Sequence, residues 1–252
     1  DVIASVEEGT TRATFRLLAL SSMAGSVYIN DTEGTSYDTI GEAIAEAKSG
    51  DTIITGPGVY EENVAIDKAL TLTSQNGPGS AIIFGGAGPC IEITGSGPVS
   101  IAGMVLNNGT QGIRANTSSL DLTLTGNEIR FNGAGGVQLL AESQIAVEML
   151  YNIISDNQKN STKIDGYSFG GAVRMMTTGV DSNIDAVIRG NQFAHNDGGG
   201  LRIGWWDDNN NELDGNVTAD ISENTFTGNE SGTIRAKAID TLDVNIADNI
   251  FS

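Results

Sequence analysis

Cysteine is almost absent. Cys90 stands alone, so no disulfide can close within the chain, and stability has to come from packing and hydrogen bonds. Its setting, Pro89-Cys90-Ile91-Glu92-Ile93, reads as a strand and predicts a buried, inert thiol in place of a nucleophile. Basic residues are scarce, with 13 Lys and Arg against 32 Asp and Glu, for a formal net charge of -19. Phosphate binding needs a basic surface, so nucleic acid is excluded as a partner, and an anionic membrane surface with it. No run reaches the ~18 apolar residues of a membrane span. Residues 15–24, FRLLALSSMA, are too short for one and follow an acidic stretch that is wrong for a signal peptide, so the chain reads as already mature. Proline is rare, with 4 residues, while glycine reaches 33. Glycine, Asn and β-branched residues together favour short strands joined by tight turns.

What is present begins with loose alternation over residues 12–30, which predicts one or two strands ending at Val27 and Ile29. A short helix follows near residues 38–48. Asp38 is placed to cap it, Ile40, Ala43, Ile44 and Ala47 share one face, Lys48 falls in the last turn, and Gly50 stops it. After it come short strand-like runs: Thr52-Ile53-Ile54, Asn63 to Ile66, Leu70 to Thr73, Ala81 to Phe84 and Ile91 to Ile93. No second strong helix appears. A parallel sheet normally needs crossover helices, but a coil that returns through turns needs none.

The organising feature is a repeat, Asn-x-Ile/Phe-x-x-Asn. Its copies are Asn127-Ile129-Asn132, Asn152-Ile154-Asn157, Asn191-Phe193-Asn196 and Asn224-Phe226-Asn229, with a partial fifth at Asn249-Ile250-Phe251. Three copies are followed by glycine and an apolar residue at fixed offset: Gly135-Gly136-Val137, Gly199-Gly200-Leu201 and Gly232-Thr233-Ile234. The fourth such element, Gly170 to Val173, arrives late, so residues 158–169 are an insertion. The Ile/Phe position is expected to stack in one interior column. The Asn at each bend is expected to adopt the left-handed conformation and to form an amide ladder. At ~25 residues per coil, residues 51–252 make roughly eight coils, a stack about 40 Å long at ~4.8 Å per coil.

The stretch Tyr37-Asp38-Thr39-Ile40 through Gly50-Asp51-Thr52-Ile53, then Gly56-Pro57-Gly58-Val59-Tyr60-Glu61-Glu62-Asn63, resembles the opening of the pectin-lyase-like superfamily, in particular pectinesterases and NosD-type surface β-helices. The resemblance covers most of the chain from about residue 26 onward. It implies an all-β, right-handed, single-stranded parallel β-helix with a short N-terminal capping helix. The organisation is then an N-terminal extension over residues 1–30 and a solenoid over 31–252. The fold carries many functions, and no catalytic set of the superfamily transfers to this sequence. Asp207-Asp208 and Arg202-Ile203 occur in the wrong order for a polygalacturonase, and His195 is not in a Gly-His-Gly motif.

The residue after the apolar position of successive coils is Arg114, Gln138, Arg174, Arg202 and Arg235, one register and therefore one line up one face. Arg174, Arg202 and Arg235 could grip the carboxylates of an acidic polysaccharide in bidentate pairs. The alternative is charge balance against Glu148, Asp197, Glu223 or Glu230. Trp205 and Trp206 open a polar insertion and are suited to stack on sugar rings. The run that follows them, Asp207 and Asp208 then three Asn, is a candidate for Ca²⁺. Asp165, His195, Asp197 and Arg202, with Asp156 from the preceding coil, are the candidate catalytic groups. Asn30, Asn108, Asn116, Asn160, Asn216 and Asn229 head glycosylation sequons, which permits a secreted or cell-surface glycoprotein.

Two functions follow. One is an extracellular or cell-surface structural protein that assembles with copies of itself or a neighbour, a homo-oligomer or a head-to-tail filament. It rests on an uncapped last repeat and on residues 10–20, with Arg12 and Arg16, as a strand donor. The other is a polysaccharide lyase or glycoside hydrolase acting on an acidic glycan.

Overall fold

A computed structural model describes residues 25–30, 36–159, 163–164, 167–168, 170–179, 181–204, 215–230 and 232–252. The chain winds into a three-sided coil whose strands pair in parallel with the coils before and after. The first face holds Thr52–Thr55, Leu70–Ser74, Pro98–Ala102, Ser182–Arg189, Gly215–Ser222 and Leu242–Ala247, with the second halves of the long strands Ile113–Thr125 and Val137–Leu150. The second face runs from Gly58–Tyr60 through Ala81–Phe84, Met104–Asn107, Glu128–Arg130, Ile153–Ser155, Gln192–Ala194 and Thr225–Thr227 to Ile250–Phe251. The third face holds Val64–Ile66, Ile91–Ile93, the first halves of the two long strands, Val173–Thr177, Leu201–Ile203 and Ile234–Ala236. Seven coils are complete on three faces, and an eighth supplies two.

Alternation along each strand fills the interior, since successive side chains point to opposite sides. Ile129, Ile154, Phe193, Phe226 and Phe251 fall opposite one another in the expected column. Tyr60, Ile83 and Leu106 extend it downward. The rings of Phe193, Phe226 and Phe251 stack with centroids 4.7 and 5.3 Å apart.

The asparagine ladder is present, with a correction. The ladder residues are not left-handed. The residue before each carries the positive φ: Tyr151 at 56°, Glu223 at 59° and Asp248 at 55° at the first corner, and Phe131 at 54°, Asp156 at 56° and His195 at 52° at the second. This leaves each Asn side chain free to point inward at the bend. There its Nδ2 donates to a carbonyl of the coil behind and to the Oδ1 of the next Asn, as Asn127 does to Ile101 at 2.8 Å and Asn152 at 3.0 Å. Burying these amides without partners would cost about 1–3 kcal/mol each, so the ladder also fixes register.

Helix α1, Ile40–Glu46, covers the near end of the stack with Ile40, Ala43 and Ile44 buried. Its N-cap is Thr39 and not Asp38, because the Thr39 hydroxyl accepts from the Glu42 N–H at 3.1 Å. The Glu62 carboxylate accepts from the N–H groups of Ile40 and Gly41, both at 2.9 Å. Lys48 lies beyond the last turn, and Lys68 takes the role expected of it, donating from Nζ to the carbonyls of Ile44 and Ala47 at 2.9 and 3.2 Å. Strand β1, Val27–Ile29, pairs antiparallel with Thr52–Thr55. Residues 10–20 lie outside the described residues. No helix among the described residues is long and apolar enough to cross a membrane.

Candidate functional site

The arginine register holds. On the outer side of the third face, Glu92 lies opposite Arg114, Arg114 opposite Gln138, Gln138 opposite Arg174, Arg174 opposite Arg202 and Arg202 opposite Arg235. Neighbours in such a line are ~4.8 Å apart. Sequence reading missed Glu92 as its first member, although Ile91-Glu92 carries the same offset as the later pairs.

The line differs along its length. Arg114 pairs with Glu92 at 3.7 Å, a local charge balance. Gln138 accepts from Gln111 Nε2 at 3.2 Å. Arg174 is only 5% exposed, and its Nε donates to the Met176 sulfur at 3.0 Å. Outward-pointing Gln138, Leu140 and Met176 are buried beside it. An open row of arginines was the expectation. At Arg174 the line runs instead under cover, together with its outward-pointing neighbours.

Arg202 and Arg235 behave differently from the rest. Arg202 is half-buried, and its Nε has no hydrogen-bond partner among the described residues. Burial, and then the adjacent Arg235 charge, hold its pKa below the ordinary guanidinium value. The guanidiniums sit close over turn glycines: the Cβ position of Gly232 is 3.2 Å from Arg235 Nε, and that of Gly199 is 3.7 Å from Arg202 Nε. Both glycines have positive φ, 97° and 110°, so the turn supplies a surface without side chains against which the arginines lie. Arg235 is exposed. Two of the four charge-balance partners proposed from sequence lie elsewhere. Glu148 points out from the first face, and Glu223 pairs with Arg189.

The other candidates are dispersed. His195 is an exposed second-corner residue whose ring lies against Gly228 of the next coil. Asp156 holds the same corner one coil earlier. No hydrogen bond or ion pair among the described residues joins His195 to Asp197 or Arg202. Asp165, Trp205, Trp206, Asp207, Asp208 and Asn160 lie outside the described residues. In sequence the tryptophan segment follows Leu201–Ile203, the strand that carries Arg202, and the next described strand is Gly215–Ser222. No group of three His, Cys, Asp or Glu side chains among the described residues is arranged for a metal ion.

Of the sequons, Asn30, Asn108 and Asn116 are exposed. The Nδ2 of Asn30 donates to Asp51 at 2.7 Å, that of Asn216 to Asn183 at 3.0 Å, and that of Asn229 to the Phe193 carbonyl at 2.7 Å within the ladder.

No family model matches the sequence, and no curated protein matches it. Among solved structures, the chain is similar to that of the PL6 family alginate lyase AlyGC, at 18% identity and a TM-score of 0.38 over 84% of this chain and 38% of that one. A mutant of the same enzyme gives 18% identity and a TM-score of 0.39 over 85% of this chain and 38% of that one. The chain thus spans well under half the length of the lyases it matches. Parallel register on three faces, an interior aromatic column and a capping helix define the architecture: this chain is a parallel β-helix.

Proposed function

We propose that this β-helix binds an acidic polysaccharide along the arginine line of its third face, in a secreted or cell-surface setting. The observation behind this is Arg202, a half-buried cation whose Nε–H meets no acceptor among the described residues and which lies opposite another arginine. Burying part of a guanidinium is unfavourable unless an anion pairs with it. A carboxylate accepts bidentate hydrogen bonds from such a fork. A polymer with one carboxylate per sugar offers repeated anions to a repeated row of cations. The net charge of -19 repels polyanions in general, so an anionic ligand has to be recognised locally, by a short row of this kind. Trp205 and Trp206 follow the Arg202 strand in sequence and are suited to stack on the sugar faces.

The test is an affinity measurement against a polyuronate and against a neutral glycan of similar length. The polyuronate is expected to bind, more weakly as salt is raised, and the neutral glycan is not. Equal retention of both polymers would remove the proposal. Product analysis of the same mixtures sorts the chemistry: unsaturated sugar ends mark a lyase, new reducing ends alone mark a hydrolase, and an unchanged polymer marks a binding module.

A further inference from the structure

The sequence holds three Asn-Gly pairs, Asn76-Gly77, Asn108-Gly109 and Asn132-Gly133. In such a pair the glycine nitrogen can attack the side-chain amide carbon of the Asn, because glycine has no Cβ to obstruct the approach. The structure gives the three pairs different settings. Asn132 is a fully buried ladder residue. Its Nδ2 donates to the Leu106 carbonyl at 3.2 Å and to Asn157 Oδ1 at 2.9 Å, and its Oδ1 accepts from the Gly109 N–H at 2.9 Å. The attacking group there, the Gly133 N–H, is held by the Gly109 carbonyl at 2.9 Å. Asn108 is exposed, and its side chain makes no hydrogen bond among the described residues. Its glycine is held all the same. Gly109 is buried, and its N–H is the one that Asn132 Oδ1 accepts. Backbone atoms of Gln111, Cys90 and Gly88 lie 2.8–2.9 Å from the Cβ position of Gly109, so it has no room to swing toward the Asn108 side chain.

Asn76-Gly77 has neither restraint. It lies in the turn between Leu70–Ser74 and Ala81–Phe84, with Asn76 exposed. The Gly77 N–H reaches the Ser74 carbonyl only at 3.4 Å, and nothing lies within 4 Å of the Gly77 Cβ position. We propose that Asn76 is a site of spontaneous covalent modification in the folded protein, and that the asparagine ladder guards Asn108 and Asn132 from the same reaction. The Gly77 amide nitrogen gives up its proton and bonds to Cγ of Asn76, the Cγ–Nδ2 bond breaks, and Nδ2 leaves as ammonia. Water then adds to either carbonyl of the cyclic imide and opens it to aspartate or isoaspartate. Nothing is oxidised or reduced, and water is the one co-reactant. At Asn132 the same change would turn a carboxylate oxygen toward the Leu106 carbonyl, so the bonds that hold the attacking glycines also preserve the ladder. The proposal is independent of the arginine line.

The full chain is incubated in warm, mildly alkaline buffer, beside a sample held unfolded in urea, and both are followed by peptide mapping with mass spectrometry. In the folded chain Asn76 is expected to convert to aspartate and isoaspartate at least tenfold faster than Asn108 or Asn132, and in urea the three rates are expected to converge. Asn76→Ala, which alters an exposed turn side chain, is expected to keep the unfolding midpoint and to abolish the early release of ammonia. An Asn76 that stays intact in the folded chain while the urea sample converts overturns the proposal. So does an Asn108 that converts as fast as Asn76 in the folded chain, because exposure alone then governs the reaction. The same spread of rates in urea as in the folded chain also overturns it, because the neighbouring sequence and not the ladder then sets the order.

Discussion

The backbone N–H and the Nδ2 of Asn152 both donate to Oδ1 of Asn191, at 2.8 and 2.9 Å, although 39 residues separate the two. The same pair of bonds joins Asn127 to Asn152 across 25 residues, at 2.9 and 3.0 Å. An insertion of about a dozen residues in one coil therefore leaves the ladder step unchanged, because the amide geometry, and not the length of chain between corners, sets the stacking.

Asn191→Ala should accordingly be costly. It leaves two buried donors of Asn152 unmet and takes away the Nδ2 that donates to the Met149 carbonyl at 2.8 Å. At about 1–3 kcal/mol per unmet group, discounted for relaxation, a loss of about 3 kcal/mol is expected in urea unfolding. Asn191→Asp keeps the acceptor but turns a carboxylate oxygen toward the Met149 and Arg189 carbonyls. Its folded-state pKa is raised, so part of its penalty should disappear as pH falls through the carboxylate range. A variant as stable as the parent at neutral pH would show that the ladder does not hold the coils together.

The phenylalanine stack predicts a gradient. Phe226 is buried between two rings, and its change to Ala should cost about 3–5 kcal/mol. Phe251 has one ring neighbour and an exposed face, and the same change there should cost under about 1 kcal/mol, since most of its apolar surface stays in water in either state. Thermal unfolding of the two variants separates them, and similar losses would contradict the interior column.

Alkaline stability should follow Cys90. Burial pushes its thiol up to about 11 from an ordinary value of 9.0. A raised folded-state pKa means that the folded chain holds this proton more tightly than the unfolded one. The contribution is intact below pH 9 and is lost as pH rises through about 11, at most about 3 kcal/mol in all. Cys90→Ala should flatten the decline in stability between those limits. The native thiol should react slowly with alkylating reagents at neutral pH, and rapid labelling without unfolding would contradict its burial.

Much of this was legible in the sequence because a solenoid turns spacing into register. The Asn repeat located two corners, the residue two places on located the interior column, and the residue after each apolar position located the arginine line. What stayed hidden depends on partners one coil away. Nothing local marks Glu62 as the acceptor for the first N–H groups of α1, or Lys68 as the donor to its last carbonyls. The left-handed residue is the one before each ladder Asn, a role shared by Gly, Tyr, Phe, Glu, Asp and His, so no single residue type signals it. The cover over Arg174 was equally silent, since equal register says nothing of what lies above a side chain. His195, the lone histidine, is one of these left-handed corner residues.

The most direct test of the glycan-binding account compares single arginine changes on different faces for polyuronate affinity at fixed, low salt. Arg202→Gln and Arg235→Gln remove guanidiniums from the proposed line. Arg189→Gln removes an equally charged group that pairs with Glu223 elsewhere on the coil. The account predicts a loss of at least about tenfold for each of the first two, about 1.4 kcal/mol, and no change for the third. Equal affinity across all three variants would contradict it.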